Sequence, residues 1–337
     1  MINVKELDAQ AFESSAQQAG IQPPIEQTEV WTTYQQKIDG REPWGFVAIE
    51  RDGNLLALVS FIDYATHGYH YLFSHHGPMW VQQPDEDLER EVLQALVSFV
   101  RKKDKRQVFM RLSVAHELDI TSPTLSGIPY DTTVKIDLTG GDEAIISRMK
   151  KRGRRDVRKA LREAPITCAD ETDQALESFD EYYAVYKETA ERDGFALAPK
   201  EDYVRMITSL GKDHCRVFAG RLEDGTVCTW SICTTNGTRA TRYYAASLSS
   251  TMRSYVTDRL CFFECCELAR LGCEEFDLMG IGSDFSPKLN GLNVFKTKFS
   301  QETIPVAPDR DVAIKGTQYR MLCLAKGAKQ KIQSVRE

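Results

Sequence analysis

The chain has 337 residues, a net charge of −6 and a sequence pI near 5.7. This length exceeds one ordinary domain and predicts two, each with its own core. The acidic balance argues against a general nucleic-acid binder, and no apolar run approaches the roughly 20 residues that span a bilayer. The N-terminus lacks the charged start and apolar stretch of a signal peptide, so we expect a cytoplasmic protein. We also expect a monomer.

The first part of the chain, to about residue 147, predicts mixed strands and helix. An Asp-Gly turn at Asp52 and Gly53 predicts a hairpin, and a later segment has apolar residues at helical spacing. The predicted elements are, in chain order, strands 46–50, 55–63 and 69–73, helix 87–102 and strand 108–114.

The second part repeats this progression. Its predicted elements are helices 175–192 and 202–210, strands 215–222, 226–234 and 240–246, helix 255–271 and strand 275–278. After a glycine-rich turn, alternation from Val294 to Phe299 predicts another strand, with Lys296 near its opening and between two aromatic residues. The repeated order predicts an α+β protein with two similar lobes, each built on a central sheet.

Nine cysteines include no C-x-x-C pair, and no histidines stand at zinc-finger spacing. Cys261, Cys265 and Cys266 lie among apolar residues of a predicted buried helix, where cysteine behaves as a small hydrophobic residue. We therefore predict reduced thiols, with no metal site and no redox cofactor.

Two groups of cationic residues could carry chemistry. A partly desolvated Lys296 could stabilise a developing oxyanion, although a surface lysine on an alternating strand would give the same pattern. The segment Arg148–Arg162 holds nine basic residues in fifteen, with Asp156 as its single acidic residue. RNA phosphates are a natural counterpart for such a helix, and acidic patches of the same protein are the alternative.

Six sequence blocks resemble, in the same order, those of the FemABX family, the aminoacyl-tRNA-dependent transferases that build peptidoglycan interpeptide bridges. The blocks are Gln27–Trp31 with Lys37, Ser74–Pro78, Thr133–Leu138, Arg192–Phe195, Tyr243–Ser247 and Phe276–Phe299. The resemblance implies two acetyltransferase-like (GNAT-like) lobes, each a central mixed sheet flanked by helices, in a compact FemX-like chain without a coiled-coil arm. The expected lobes are residues 1–147 with a returning C-terminal helix in 317–337, and residues 148–316.

The resemblance also implies an activity. An amino acid would pass from aminoacyl-tRNA to a free amine of the stem peptide, on UDP-MurNAc-pentapeptide or on lipid II. The aminoacyl-tRNA is a co-substrate, and no further cofactor is implied. A lipid-linked acceptor would bring the protein to the membrane periphery.

Family positions carry over to particular residues of this sequence. Lys296 and Phe295 are the implied catalytic residues. The implied substrate-binding residues are Lys37, Trp31, Arg192, Tyr243, Tyr244 and Ser113. The residues implied to contact tRNA or another anion are Lys151, Arg152, Arg154, Arg155 and Arg158.

Several of these assignments have structural alternatives. Lys37 could be a helix-surface lysine. Arg192 could cap the C-terminus of its helix and interact with the helix dipole just before Gly194. Strand alternation allows at most one of Tyr243 and Tyr244 to face a cleft.

The general base is left open. Compact members of the family have an aspartate after the arginine-containing strand of the first lobe, where this chain has Ser113. Asp277, Asp284 or groups of the substrate itself could accept the proton instead.

Two other functions are consistent with parts of the sequence. A CoA-dependent N-acyltransferase would need a loop of the Arg/Gln-x-x-Gly-x-Gly/Ala type, and Gly280-Ile281-Gly282 is the nearest candidate. Asp277 stands there at the Arg/Gln position, and Asp284 adds a negative charge after the loop. A non-catalytic RNA-binding protein built around the basic helix would leave the Lys296 block unexplained.

Overall fold

The computed structural model describes residues 1–334, with side chains to Gly327. The chain forms two compact units: Met1–Tyr130 together with the chain from Val306 onwards, and Asp131–Pro305. Each unit has a mixed sheet flanked by helices, which confirms the predicted α+β class with two lobes. Among the described residues no helix is both long and apolar enough to cross a bilayer.

The strands of both units follow one another along the chain. They are β1 (Ile2–Leu7), β2 (Arg41–Arg51), β3 (Asn54–Thr66), β4 (Tyr69–Ser74), β5 (Met79–Trp80), β6 (Gln107–Ser113), β7 (Thr121–Pro123), β8 (Thr132–Asp137), β9 (Thr167–Asp170), β10 (Cys215–Arg221), β11 (Val227–Asn236), β12 (Arg239–Ser247), β13 (Glu275–Gly280), β14 (Ile304–Pro305) and β15 (Asp309–Ala313).

The α-helices lie between these strands. They are α1 (Ala9–Gln18), α2 (Glu29–Gln35), α3 (Glu86–Lys103), α4 (Asp142–Arg148), α5 (Lys151–Glu163), α6 (Thr172–Glu177), α7 (Asp180–Asp193), α8 (Lys200–His214), α9 (Val256–Arg270), α10 (Asn290–Lys296) and α11 (Gly316–Ser334).

The first unit has the strand order β1-β2-β3-β4-β6-β15-β7, and β5 pairs with β3. Strands β4 and β6 run parallel and are joined by α3. Asp85 caps this helix by accepting from the Leu88 N–H at 2.8 Å. Acidic residues in its first turn and basic residues in its last complement the helix dipole. The face that carries Leu93 and Leu96 is fully buried against the sheet.

The second unit has the strand order β14-β8-β13-β12-β11-β10-β9. Strands β12 and β13 run parallel, and α9 connects them. Cys261, Cys265 and Cys266 are buried on α9 in the core of this unit, as predicted.

The bounds of the two units differ from the expected division into 1–147 with 317–337, and 148–316. Sheet membership explains the difference. Strand β8 pairs with β13 and β14 in the second sheet, whereas β15 inserts between β6 and β7 in the first. The backbone hydrogen bonds of these strands therefore place the boundaries at Tyr130/Asp131 and Pro305/Val306.

Two predicted elements are wrong. The helix 175–192 is interrupted near Ser178, so that α6 and α7 are separate helices. The strand 294–299 is absent, because α10 continues to Lys296. Asn293 holds this helix against the preceding turn: its side chain accepts from Gly282 N at 2.7 Å and donates to Gly282 O at 2.9 Å. The hydrogen bonds of the Asn293 side chain therefore hold this segment in place, and backbone pairing with a neighbouring strand does not.

Candidate active site

The parallel strands β12 and β13 pair over only three residues, from Arg239–Glu275 to Thr241–Asp277. Beyond that point β12 continues against β11, while Gly280 of β13 pairs with Thr133 of β8. Met279 has a φ of 62°, in the left-handed region that residues with a side chain rarely adopt. The second sheet therefore opens between the carboxyl-terminal ends of its two parallel strands.

Lys296 lies at this opening. Its half-buried Nζ donates to the carbonyl oxygens of Met279 at 3.3 Å and Gly280 at 2.9 Å, the only side-chain hydrogen bonds it makes to described residues. An ammonium has three N–H donors, so one is left for another acceptor. Burial, followed by the positive charge of Arg242, lowers the pKa of Lys296 to about 8, and Asp277 opposes that shift. The amine is still mostly protonated at pH 7.

A buried ion pair holds Arg242 beside Lys296. The Arg242 guanidinium donates from Nε to Glu264 Oε2 at 2.8 Å and from Nη2 to Oε1 at 3.1 Å. Ser231 Oγ donates to the same carboxylate at 2.7 Å. Sequence reasoning missed this pair, although a glutamate among the apolar residues of α9 is a usable signal, since buried carboxylates need partners.

The aromatic residues that flank Lys296 in sequence surround a different lysine. Phe295 and Phe299 pack edge to face with centroids 5.2 Å apart. The Nζ of Lys298 lies 5.0 Å from the Phe295 centroid and 5.4 Å from that of Phe299. The prediction that Lys296 sits between two aromatic rings was therefore wrong, because α10 turns its Nζ toward β13. Phe295 is partly buried and packs against the hydrophobic core of the second unit.

Lys298 joins this segment to the basic helix. Its side chain is 8% exposed, and its Nζ forms ion pairs with Asp258 of α9 and, at 3.6 Å, with Asp156 of α5. Its carbonyl oxygen accepts from Lys150 N at 3.1 Å. A Cβ at Gly153 would come within 2.1 Å of that same oxygen, so this close approach requires glycine.

The outer face of α5 is cationic. Asp156 points inward and pairs with Arg152 at 3.5 Å and Arg155 at 3.0 Å. The exposed Lys151 and Arg158 form no ion pair with any described residue. The half-buried Arg154 donates to Met149 O at 2.6 Å. One carboxylate of the same helix, Asp156, thus pairs with two of the five residues predicted to contact an anion, and the helix retains uncompensated positive charge.

Arg192 has several partners in its own unit. Its Nη1 donates to Ser247 O at 2.8 Å, and its Nε and Nη2 donate to the Asp193 carboxylate at 2.9 and 3.1 Å. Gly194 ends α7 in the left-handed conformation. The contact with Ser247 brings the Arg192–Phe195 block to the end of β12.

Tyr243 and Tyr244 do not face opposite sides of their sheet as strict alternation requires. A β-bulge opposite Ile232 and Cys233 leaves Tyr243 as the extra residue on β12. The two rings pack edge to face at 5.3 Å, and Tyr244 also contacts Tyr203 at 5.1 Å. The bulge overrides the period of two on which the prediction depended.

Three predicted substrate residues lie in the first unit. Trp31 is 2% exposed and packs against Tyr34 at 5.1 Å, so it supports the local structure without reaching the surface. Lys37 is exposed just beyond α2. Ser113 ends β6, where its N–H donates to Gly77 O at 2.8 Å and its hydroxyl donates to Asp309 at 3.3 Å.

The two aspartates considered as general bases have different surroundings. Asp277 Oδ1 accepts from Thr133 Oγ1 at 2.5 Å and from Met279 N at 2.7 Å, so it shapes the end of β13. Asp284 is exposed in the loop before α10.

Comparisons with known proteins relate this architecture to acyltransferases. Residues 147–286 match an acetyltransferase (GNAT) domain. The crystal structure of FemX covers 95% of this chain and 99% of its own, with a TM-score of 0.71 at 15% identity. A tandem GNAT protein from the clavulanic acid biosynthesis pathway covers 93% of this chain and 99% of its own, with a TM-score of 0.56 at 10% identity.

A third solved structure, L-PGS from Bacillus licheniformis, covers 96% of this chain and 97% of its own, with a TM-score of 0.50 at 14% identity. A comparison with curated protein sequences finds no match. The domain match supports an acyltransferase of the GNAT type, and the likenesses to solved structures show a GNAT-like fold along nearly the whole chain. The chain is a protein of two GNAT-like lobes with the fold of FemX, and at the level of the fold this confirms the resemblance seen in its sequence.

Proposed function

We propose that this protein transfers an amino acid from aminoacyl-tRNA to an amine of a peptidoglycan stem peptide. The observation that carries the proposal is the ammonium of Lys296, held by two carbonyl oxygens where β12 and β13 separate. An aminoacyl ester is already activated, so the enzyme must mainly align the reactants and stabilise the tetrahedral oxyanion. The free N–H of Lys296 is suited to that oxyanion.

In the proposed reaction the amine attacks the ester carbonyl, forming a C–N bond. The C–O bond to the tRNA ribose then breaks, and the ribose oxygen leaves with a proton. Arg242 adds a second fixed positive charge near the developing oxyanion, and its pairing with Glu264 keeps that charge in place.

The outer face of α5 would bind the tRNA. Changing Lys151 and Arg158 together to glutamate should weaken charged-tRNA binding and reduce the slope of log K against log salt by about 0.7 to 0.9 for each lost phosphate contact. Filter binding at several salt concentrations measures both quantities. Lys102→Glu with Lys105→Glu, on exposed lysines of the first unit, is the matched control. Equal losses in the two double variants would contradict a specific role for α5.

The pH dependence should report the protonation of Lys296. Because oxyanion stabilisation requires the ammonium, the transfer rate should fall as pH rises through about 8. Asp277 raises the pKa of Lys296, so Asp277→Asn should move this fall to lower pH, while the asparagine oxygen can still accept from Met279 N. Rate–pH profiles of the two proteins test this expectation, and an unmoved alkaline limb would contradict it.

A CoA-dependent N-acyltransferase is the second candidate, favoured by the GNAT domain match over residues 147–286. Two features of the chain argue against it. The connection between β12 and α9, residues 248–255, contains no glycine to let a backbone approach a pyrophosphate closely. At Gly282 a Cβ would come within 2.1 Å of Asn290 Oδ1, so this glycine serves packing against α10.

The deciding experiment supplies a radiolabelled amino acid on a mixed pool of charged tRNA, with UDP-MurNAc-pentapeptide or lipid II as acceptor. Label that appears in the acceptor supports the proposal and identifies the amino acid. Acetyl-CoA with the same acceptors tests the second candidate. Charged-tRNA binding without transfer to either acceptor would instead favour an RNA-binding protein.

A further inference from the structure

The chain that follows Lys296 is bound to the start of the basic helix α5. Lys150 N donates to Lys298 O at 3.1 Å, and Gln301 Nε2 donates to Met149 O at 2.7 Å. Both bonds use backbone groups that flank the first turn of α5, so they do not depend on the long cationic side chains of that helix. The lysine segment and α5 therefore share one anchored contact within the second unit.

A close backbone approach brings this contact to within two residues of Lys296. At Gly153 an added Cβ would come within 2.1 Å of Lys298 O, so the helix backbone lies directly against that carbonyl. Phe299 N donates to Lys296 O at 3.2 Å, and the Phe299 ring is fixed in the core at 1% exposed. Because residues 296–299 form one short turn, a displacement of Lys298 O also displaces Lys296.

Asp156 is shared between this turn and the outer face of α5. Its Oδ2 lies 3.6 Å from Lys298 Nζ and 3.5 Å from Arg152 Nε, and its Oδ1 lies 3.0 Å from Arg155 Nη2. Burial acts to raise the pKa of Asp156, but the hydrogen bond from Arg155 and the charge of Lys298 outweigh it, so the pKa is lowered. The carboxylate is therefore ionised at neutral pH, and three cations compete for it.

These three cations differ in their exposure to water. The side chains of Arg152 and Arg155 are 57% and 72% exposed, whereas that of Lys298 is buried and also pairs with Asp258. An exposed ion pair is weak, and a buried pair attracts more strongly in its low-dielectric surroundings. A phosphate on the outer face of α5 can thus take both arginines at little cost and leave Asp156 to Lys298.

We propose that Asp156 is a positioning residue for Lys296. Phosphate binding to Arg152 and Arg155 releases the Asp156 carboxylate to Lys298, and the stronger pair fixes the turn that carries the catalytic lysine. This inference rests on the proposed function, in which tRNA binds α5 and Lys296 stabilises the oxyanion. It adds that donor binding and the placement of the lysine are coupled.

Asp156→Asn should separate rate from affinity. Loss of the carboxylate frees Arg152 and Arg155 for phosphate, so tRNA should bind at least as tightly as to wild type, while kcat falls about tenfold, within the usual range for coupled sites. Asp173→Asn is the matched control, because it removes an exposed carboxylate that pairs with Lys212 in the same unit, and it should change neither quantity. A rate within threefold of wild type for Asp156→Asn, or a parallel loss of rate and affinity, would overturn the proposal.

Hydrogen exchange gives a readout besides activity. Thr297 N donates to Asn293 O at 3.0 Å and Phe299 N donates to Lys296 O, so these two amides report the order of the turn. Uncharged tRNA should slow their exchange in wild type by about fivefold or more and leave it unchanged in Asp156→Asn. Equal protection in the two proteins, or none in wild type, would contradict the coupling.

Gly153→Ala tests the backbone contact by itself. The added Cβ pushes Lys298 O and does not alter the outer face of α5, so kcat should fall about tenfold or more with tRNA affinity unchanged. Gly327→Ala is the matched control, because it lies in α11 of the first unit with open space around the added Cβ. A Gly153→Ala rate within threefold of wild type would argue against the link to Lys296.

Transfer by wild type decides the proposed function separately. If wild type binds tRNA but transfers nothing to any acceptor, the role of Lys296 fails, whereas exchange protection that requires Asp156 still supports the coupling. If wild type transfers and both Asp156→Asn and Gly153→Ala keep the wild-type rate, only this inference is rejected.

Discussion

Replacing Lys296 by methionine should lower kcat for aminoacyl transfer by about 10²- to 10³-fold, the usual cost of losing one oxyanion-stabilising donor. Methionine keeps much of the apolar length of lysine but has no charge and no N–H. Because burial lowers the pKa of Lys296, the ammonium is less stable in the fold than in water, and its removal should not reduce the free energy of unfolding. Single-turnover rates and urea unfolding measure the two effects separately.

Retention of more than a tenth of the wild-type rate by Lys296→Met would contradict the assigned role. Lys296→Arg is the informative second variant. It preserves the positive charge, but its planar guanidinium cannot place donors on the carbonyl oxygens of Met279 and Gly280 as an ammonium does. Intermediate activity in Lys296→Arg would show that charge and geometry both contribute.

The same substitution two residues later should affect stability instead. Lys298→Met should lower the free energy of unfolding by about 3 to 5 kcal/mol, the cost of removing one partner from a buried ion pair. Asp258 and Asp156 would both lose this ammonium. Burial already raises the pKa of Asp258, and Lys298 is the largest influence opposing that shift. Urea denaturation at pH 7 measures the loss.

Lys296→Met is the matched control for Lys298→Met, because the chemical change is identical and the two positions lie two residues apart in one segment. Adding Asp258→Asn to Lys298→Met should recover part of the stability, since it removes the unpaired carboxylate. A loss below about 1 kcal/mol for Lys298→Met would mean that Asp156 and Asp258 are adequately solvated without it.

The fold was predictable from the sequence wherever local pattern and long-range pairing agree. The Asp-Gly turn at Asp52 and Gly53 gives the β2–β3 hairpin, with positive φ at both residues. The apolar spacing of α3 and of the cysteine-containing α9 marks their buried faces. Each of these signals lies within a few residues of chain.

The details of the site depend on contacts that no local pattern contains. Alternation near Lys296 suggested a strand, yet the side chain of Asn293 binds Gly282 and holds the segment as a helix. The direction in which α10 runs determines that Lys298, and not Lys296, lies against the rings of Phe295 and Phe299. Asp309 faces Ser113 only because β15 pairs with β6 from almost 200 residues away in sequence.

The insertion of β15 between β6 and β7 has a consequence for the order of folding. During synthesis, residues 1–130 leave the ribosome long before β15, so β6 has a bare edge and Arg111 lacks Asp311 throughout that interval. The second unit is continuous in sequence and can complete its sheet as soon as Pro305 has emerged. The N-terminal unit should thus be the last to finish folding, and its unpaired edge is the point at which a nascent or truncated chain would aggregate.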